Sequence, residues 1–168
     1  MKSYLLVIGD REALGWILTT SRMAFPSGKR SEVTALEADD ELFLYTTRNA
    51  FRNPTQHRGR IIGTARVAGP VTQLDEPISF AGRQFPVGCP LKIGSLAPFG
   101  AGIELRPLVD SIAALKGADA SWPTRLRRPL VTLSDSEADL IHQTLAPALS
   151  ADVDINEYTR WYLKSRTN

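Results

Sequence analysis

Apolar residues gather in short runs along the chain, and several of these runs predict β-strands. Residues 4–8 are continuously apolar, as in a strand buried on both faces, and residues 42–46 repeat that pattern. Residues 60–67 alternate enough to predict another strand, which ends at Gly69-Pro70, and residues 127–133 predict one more. The first half of the chain therefore holds most of the strand signal.

Helical periodicity follows polar residues that are suited to cap a helix. Asp10 precedes a stripe of apolar residues at helical spacing, namely Leu14, Ile17 and Leu18. Ser134 and Glu137 have the spacing of a capping box, in which each side chain bonds the other residue's backbone amide, and they predict a helix over residues 135–145. Residues 157–164 predict an amphipathic terminal helix.

Two segments rich in glycine and proline have weaker patterns. Residues 24–40 are predicted to be a loop with at most a short helix at residues 33–36. In residues 82–102, Pro86 and Pro90 each remove a hydrogen-bond donor, so a strand there is expected at a sheet edge or broken by a bulge. Part of this second segment is a candidate for a mobile lid.

The order of elements favours an α+β fold. Residues 103–108 add a strand that turns into a helix over residues 109–115. Several strands with few, short helices and no regular alternation favour a mixed β-barrel with short peripheral helices over a doubly wound sheet. With 168 residues and 43% hydrophobic content, the chain is expected to form one domain over residues 1–168, with residues 150–168 as a terminal helical extension.

The charge is distributed unevenly along the chain. The formal net charge is only +2, so the chain lacks the surplus expected of a protein that coats nucleic acid. Between Arg48 and Arg66, however, there are five arginines and one histidine without an acidic residue. Any electrostatic footprint is therefore expected to be local.

The remaining composition narrows the chemistry. Cys89 is the only cysteine, which excludes an internal disulfide and suits a reducing cytosol. No histidine or cysteine recurs at ligand spacing, so neither a metal nor another cofactor is predicted. Apolar runs are too short to span a bilayer and no cleavage site follows the start, so we expect a soluble intracellular protein with no membrane partner.

The succession of short motifs resembles the EVE domain, a branch of the PUA-like superfamily. The motifs are Tyr4-Leu5-Leu6-Val7, Pro26-Ser27-Gly28-Lys29, Asp40-Glu41-Leu42-Phe43-Leu44-Tyr45-Thr46, Ile62-Gly63-Thr64-Ala65-Arg66-Val67, Leu105-Arg106-Pro107-Leu108, Trp122-Pro123 and Leu126-Arg127-Arg128-Pro129-Leu130. The likeness extends to about Leu145 and rests on order and spacing. It implies a PUA-like barrel that binds DNA or RNA without catalysis and accepts a flipped or unpaired base, often modified, in a cleft.

Such a cleft needs a stacking surface and hydrogen-bond donors, because a flipped base loses a few kcal/mol of stacking. Trp122, in a proline-flanked loop, is the candidate for stacking, with a core tryptophan as the equally weighted alternative. Tyr45 and Thr46 end a buried strand and are candidates for the cleft wall, although core packing is the stronger expectation for Tyr45.

Basic residues are the candidates for contacts to phosphates and base edges. Gly28 and Lys29 match the family's loop before the second strand, where amides and an ammonium approach the ligand, with a solvated loop as the alternative. At the start of the predicted strand at residues 127–133, at least one arginine of a group is expected to face outward and contact phosphate or a base edge, with an ordinary solvated face as the alternative for each: Arg125, Arg127 and Arg128. Another group is expected to track the flanking phosphates, with an ordinary charged loop as the alternative: Arg48, Arg52, Arg58 and Arg60.

The chain departs from the family's pattern in ways that bear on the ligand. Ile8 and Gly9 stand where relatives often carry polar residues that contact the base, and residues 80–102 are longer and more apolar than the family pattern. A more apolar wall favours a methylated or otherwise hydrophobically modified base.

Two other functions remain open from the sequence. Some small relatives in the superfamily resemble hydrolases of acylated nucleosides, and Lys29, Thr46 and Glu32 supply the matching residue types. Cys89 has only His57 and His142 as bases, and packing or surface roles are favoured for all of them. An interaction module is the other alternative, in which an aromatic cluster near the end of the chain docks a partner or a second copy of the chain: Tyr158, Trp161 and Tyr162. Closing the barrel is the favoured role for these aromatic residues.

Overall fold

A computed structural model describes residues 1–28 and 30–167, and in that part of the chain a curled mixed sheet is surrounded by short helices. The strands are β1 (Ser3–Ile8), β2 (Arg22–Phe25), β3 (Glu41–Thr46), β4 (Arg60–Val67), β5 (Thr72–Phe80), β6 (Arg83–Leu96), β7 (Ile103–Glu104) and β8 (Leu130–Leu133). The α-helices are α1 (Arg11–Thr20), α2 (Ser31–Thr34), α3 (Asp135–Leu145) and α4 (Asn156–Arg166). Short 3₁₀ helices cover Arg106–Ser111, Asp119–Leu126 and Ala146–Ala148.

The strands follow the order β2-β6-β4-β3-β1-β8, with β5 paired to β6 and β7 to β4. β1 and β3 run parallel and Ile8 lies opposite Thr46, so both strands end at the same edge of the sheet. β8 is antiparallel to β1, which brings the start of β8 to that same edge. The residues that follow β1 and β3 and those that precede β8 therefore meet there.

The predicted caps are present. The Asp10 side chain accepts a hydrogen bond from the Glu12 amide at 2.8 Å and begins α1. Ser134 and Glu137 form both bonds of the capping box at the start of α3. The predicted strands at residues 4–8, 42–46 and 60–67 are likewise confirmed to within one residue.

Two expectations about secondary structure were wrong, and a third was met in one of its two forms. Residues 22–25 form β2, a strand that the sequence did not predict, because its structure comes from pairing with β6. Residues 83–96 form a long strand between β2 and β4 rather than an edge strand, although register shifts in its pairing with β4 and β5 meet the expectation of bulges. The helix expected over residues 109–115 is only a 3₁₀ helix that ends at Ser111.

Alternation along the strands separates two core clusters. The first core cluster includes Tyr4, Leu6, Leu42 and Leu44 on one face of the sheet, together with most of α1. The second core cluster includes Leu5, Phe43 and Tyr45 on the other face, together with α3 and the 3₁₀ helices at residues 106–126. Neighbouring residues of β1 and β3 thus serve different cores, which explains their uninterrupted apolar sequence.

α4 packs against α1 and closes one side of the first core cluster. A Cβ atom on Gly15 would lie 2.5 Å from the Tyr162 Cβ, so the two helices approach closely only because residue 15 is glycine. The Tyr158 side chain is buried and donates to the Ala97 carbonyl at 2.8 Å. None of the helices within residues 1–28 and 30–167 is long and apolar enough to cross a membrane.

Candidate functional site

A cavity of about 510 Å³ lies at the edge of the sheet where β1 and β3 end. Its floor and walls come from residues 7–10, from α1 and from β2. The tip of the β5–β6 hairpin and residues 126–129 complete it. The Val7 amide donates to the Pro129 carbonyl at 2.9 Å, which holds the segment before β8 against the end of β1. We call this opening the main cavity.

One wall of the main cavity is aromatic. The rings of Trp16 and Phe80 are tilted with centroids 6.0 Å apart, and those of Phe80 and Phe85 are 5.7 Å apart. Trp16 is only 4% exposed, because it lies on the buried face of α1. Phe85 is half-buried and therefore presents part of its ring to the cavity. Aromatic faces of this kind offer stacking area to a planar ligand.

The β5–β6 hairpin carries two of these rings and has a tight two-residue turn. Ala81 and Gly82 both have positive φ values, 48° and 75°, as in a type I′ turn, whose twist matches the flanking strands. β2 ends opposite Val87, so Phe85 and the turn project beyond it over the cavity. The projecting segment that was a candidate lid is thus a paired β-hairpin.

The rim of the main cavity is cationic. Four arginines line it, namely Arg30, Arg83, Arg127 and Arg128. Asp10 is the one carboxylate among the lining residues in the described part of the chain, and it already caps α1 and lies 3.7 Å from an Arg52 nitrogen. Arg128 contacts Glu32 at 3.2 Å, and Arg83 lies over the Phe85 ring at 5.8 Å. The lining therefore keeps an excess of positive charge.

Arg127 and Arg128 are the sequence-predicted residues that line the main cavity, because they lie just before β8. Gly28 lies in the exposed loop after β2, with a φ of +121°. No neighbouring atom lies within 4 Å of the position that a Cβ atom would take there. Lys29 lies outside the described residues. Arg125 instead donates to the Ala114 carbonyl at 3.3 Å and is not among the lining residues.

The structure does not bring Tyr45, Thr46 and Trp122 to the main cavity. Tyr45 is 2% exposed in the second core cluster, where burial raises its pKa to about 12. Trp122 is half-buried against the same cluster, in a 3₁₀ helix rather than the predicted loop. The strand alternation that points Tyr45 away from the cavity is the physical reason for its core placement.

Thr46 lies in a second, smaller cavity of about 190 Å³, on the other side of the loop that follows β3. Arg58 and Arg60 also line it, together with Phe51, Gln56, His57 and Tyr158. Arg58 pairs with Glu104 at 3.2 Å, and Arg60 donates to the Gly100 carbonyl. We call this opening the minor cavity.

The other two predicted phosphate contacts lie on the loop between the cavities. Arg48 donates to the Pro54 carbonyl at 2.8 Å and braces the loop from within. Arg52 lies within 3.7 Å of Asp10 and 3.6 Å of Glu12 at the start of α1. Of the four predicted arginines, Arg58 and Arg60 thus line the minor cavity. Arg48 contacts its own loop, and Arg52 contacts the start of α1.

Sequence reasoning missed the aromatic wall. Trp16 shares the apolar stripe of α1 with Leu14 and Ile17, so its pattern is that of a core residue. Phe80 directly precedes Ala81-Gly82, and Phe85 lies three residues after Gly82. In a hairpin with a two-residue turn this spacing places both rings on the same side, and it was the available sequence signal. Arg30 and Arg83 had no distinguishing sequence context.

The residues proposed for catalysis lie apart. Glu32 pairs with Arg128 at the main cavity, whereas Thr46 lines the minor one. Cys89 is buried in the first core cluster, and burial raises the pKa of its thiol to about 11. His142 contacts Glu41 at 2.8 Å and packs edge-on against Phe43. Within the described ranges, no group of His, Cys, Asp and Glu is placed to hold a metal ion.

Comparison with known proteins gives a fold but no family. No family model matches the chain, and no curated protein matches it. Among solved structures, Rpa0253 from Rhodopseudomonas palustris has a TM-score of 0.54 at 14% identity, covering 88% of this chain and 94% of that one. Human THYN1, in complex with DNA containing 5-methylcytosine, has a TM-score of 0.54 at 12% identity, covering 86% and 97%.

An Mmi1 YTH domain in complex with RNA has a TM-score of 0.52 at 13% identity, covering 90% of this chain and 85% of that one. Identities this low carry information about architecture only. The curled mixed sheet, its short helices and these likenesses together show that the chain has the PUA-like fold, as an α+β protein.

Proposed function

We propose that this protein is a nucleic-acid-binding module of the EVE type, which holds a flipped or unpaired base in its main cavity and performs no chemical step. The observation that carries the proposal is the combination of an aromatic wall with an arginine rim in one opening of about 510 Å³. Such an opening offers stacking to a planar base and positive charge to the phosphates around it.

The fold supports this function by analogy. The THYN1 structure contains DNA with 5-methylcytosine, and the Mmi1 YTH structure contains RNA. Those ligands belong to those proteins, and fold likeness by itself does not transfer them. They agree, however, with the charge and shape of the main cavity, which were established from this chain alone.

The lining favours a base with an apolar substituent. Ile8 and Met23 are buried side chains at the cavity floor, and Gly9 adds no polar side chain there. A polar base edge placed against them would lose hydrogen bonds to water without replacement, whereas a methyl group would gain by burial. We therefore propose a methylated base as the preferred ligand.

The residues have separate roles in this proposal. Trp16, Phe80 and Phe85 provide the apolar wall, with the exposed part of Phe85 as the stacking surface. Arg127 and Arg128 contact phosphate or a base edge, since both line the cavity and a guanidinium presents several donors in a fixed plane. Gly28, in the loop after β2, and Lys29 stay predictions from the sequence as further ligand contacts.

The test is a fluorescence titration with short single- and double-stranded oligonucleotides at two salt concentrations. The set carries unmodified cytosine, 5-methylcytosine, 5-hydroxymethylcytosine or N6-methyladenine. Trp16 lies in the wall, so a bound base is expected to change its emission. We expect at least a tenfold preference for a methylated base, which corresponds to about 1.4 kcal/mol.

Other results would change the assignment. Salt-sensitive binding without any preference would leave a general nucleic-acid module and remove the base cavity. A preference for unmodified over methylated cytosine would contradict the apolar lining as the source of selectivity. Absence of binding would reject the proposal, and turnover of acylated cytidine would then become the next assay.

A further inference from the structure

The minor cavity shares a wall with the main one. Thr46 and Thr47 are consecutive, yet Thr46 lines the minor cavity and Thr47 the main one. The Thr47 amide donates to the Ile8 carbonyl at 3.0 Å, which fixes this ridge to the end of β1. Phe51 and Arg52 repeat the arrangement, because Phe51 lines the minor cavity and Arg52 reaches Asp10 at the main one. The two openings are therefore neighbours across a single loop.

The minor cavity is rich in hydrogen-bond donors. Its polar lining residues are Thr46, Gln56, His57, Arg58, Arg60 and Tyr158. The hydroxyls of Thr46 and Tyr158 already donate to the Arg60 and Ala97 carbonyls, so the donors available to a ligand come from the other four. No carboxylate is among its lining residues in the part of the chain that the structure describes. Glu104 reaches Arg58 from outside the lining, in an exposed pair that water screens. Each guanidinium has five donors, so the contacts to Glu104 and Gly100 leave several for another acceptor.

The loop that presents Gln56, His57 and Arg58 is braced. The Asn53 side-chain amide donates to the Gln56 side chain at 3.1 Å, and the His57 backbone amide donates to the Asn53 carbonyl at 2.9 Å. The His57 ring packs against Phe51 and Phe99, with centroids 5.0 Å and 6.0 Å away. A donor set held in place loses less conformational entropy when it binds an anion.

We infer that the minor cavity is a phosphate subsite, which takes the phosphodiester adjoining the base in the main cavity. This inference rests on the proposed function, because a base in one opening places the next linkage of its strand near the shared ridge. Arg58 and Arg60 supply the charge, and the side-chain NH₂ of Gln56 supplies a neutral donor. Donors of both kinds commonly position nucleic-acid backbones without reading sequence.

The experiment uses a single-stranded DNA of thymidines with one 5-methylcytosine at its centre. Each phosphodiester is replaced in turn by an uncharged methylphosphonate, and binding is measured to the wild type, to the Arg58→Gln/Arg60→Gln variant and to Arg66→Gln. Arg66 is the matched control, since it is an exposed arginine on β4, the strand that begins with Arg60, and lines neither cavity. A second series carries unmodified cytosine at the centre.

We expect one linkage next to the central base to be sensitive. Its neutralisation weakens binding about tenfold in the wild type and in Arg66→Gln, as the removal of a charge-assisted hydrogen bond predicts. In Arg58→Gln/Arg60→Gln the same replacement has less than about a twofold effect, while the preference for 5-methylcytosine over cytosine is kept.

Equal sensitivity in the wild type and in Arg58→Gln/Arg60→Gln would overturn the phosphate subsite, and so would the absence of any sensitive linkage next to the base. If the preference for 5-methylcytosine were kept, either of these results would leave the proposed base site in the main cavity unaffected. Loss of the methyl preference in the wild type would instead reject the base cavity, and this inference with it.

Discussion

The two faces of the sheet end differently at the edge where β1 and β3 stop. On the face of the second core cluster, α3 and the 3₁₀ helices cover the strands, and Phe43 and Tyr45 are fully enclosed. On the face of the first core cluster, α1 and the β5–β6 hairpin diverge, and the main cavity opens between them. The same uninterrupted strands therefore support a closed core on one side and an open, aromatic-walled site on the other.

The difference shows that aromatic content alone does not mark a binding site. Trp122 and Trp16 both pack against a core cluster, but of the two only Trp16 lines the main cavity. What distinguishes the open face is the projecting hairpin, which places rings beyond the end of β2. Substitutions on the closed face are thus expected to change stability, and those on the open face to change binding.

The largest effect is expected on the closed face. Phe43→Ala should lower the free energy of unfolding by about 3–5 kcal/mol, because it removes a fully buried ring from the second core cluster. Denaturant titration measures the loss, and Phe43→Leu should recover part of it. Affinity for the methylated oligonucleotide, measured per folded molecule, should stay within about twofold of wild type. A selective loss of affinity would show that the two faces are coupled.

The next prediction tests whether the floor beneath the main cavity is closed. Met23 lines the cavity and pairs with Cys89, whose buried thiol has its pKa raised from 9.0 to about 11. At pH 8 the thiolate fraction, and with it the alkylation rate, should be roughly 100-fold below that of the unfolded chain.

The same pKa difference predicts how stability changes with pH. The folded thiol stays protonated where the unfolded one ionises, so this contribution to stability is complete below pH 9 and is lost as the pH rises toward 11. Rapid alkylation of the native protein at pH 8 would show that the cavity floor is open to reagents. The control is the same reaction in urea.

A smaller effect is expected from the exposed part of the aromatic wall. Phe85→Ala should weaken binding of the methylated oligonucleotide by about 1–3 kcal/mol, the range for loss of base stacking. Its effect on stability should be modest, because the ring is only half-buried. Trp122→Ala is the matched control from the closed face, also half-buried, and should leave affinity unchanged. The reverse result would restore Trp122 as the stacking residue.

The smallest effect concerns the arginine rim. Arg127→Gln/Arg128→Gln should weaken all oligonucleotides alike and reduce the salt dependence, with a change in slope of about 0.7 for each single-strand phosphate that the protein no longer neutralises. Arg125→Gln is the control, because Arg125 lies in the same segment but does not line the main cavity. A loss confined to one base type would show that these arginines contact base edges instead.

Local patterns predicted the parts of the fold that are defined locally. The cap at Asp10, the capping box at Ser134 and the strands at residues 4–8 and 42–46 depend on neighbouring residues, and all were confirmed. β2 has only four residues, and its pairing with β6 has no local signal. Long-range strand pairing was therefore the part of the fold that could not be predicted from the sequence.

Only the part of the main cavity that adjoins the end of a strand had a signal in the sequence. Arg127 and Arg128 precede β8 and line the main cavity, whereas Trp16 has the same apolar sequence context whether it lines a core or a cavity. Tyr45 lies near the end of β3, but the face of the sheet on which it lies is set by pairing register. Trp122 lies in a 3₁₀ helix, and its packing against the second core cluster is a long-range contact.

The two-residue turn at Ala81-Gly82 makes the β5–β6 hairpin a separable unit for engineering. Its turn fixes the register of Phe80 and Arg83, and the part of β6 between the turn and Val87 pairs with β5 but not with β2 or β4. Exchange of residues 79–85 for hairpins with other ring sizes would remodel one wall of the main cavity while the rest of the sheet and the helix caps stay the same. A library confined to one turn could therefore vary the shape of the cavity on an unchanged scaffold.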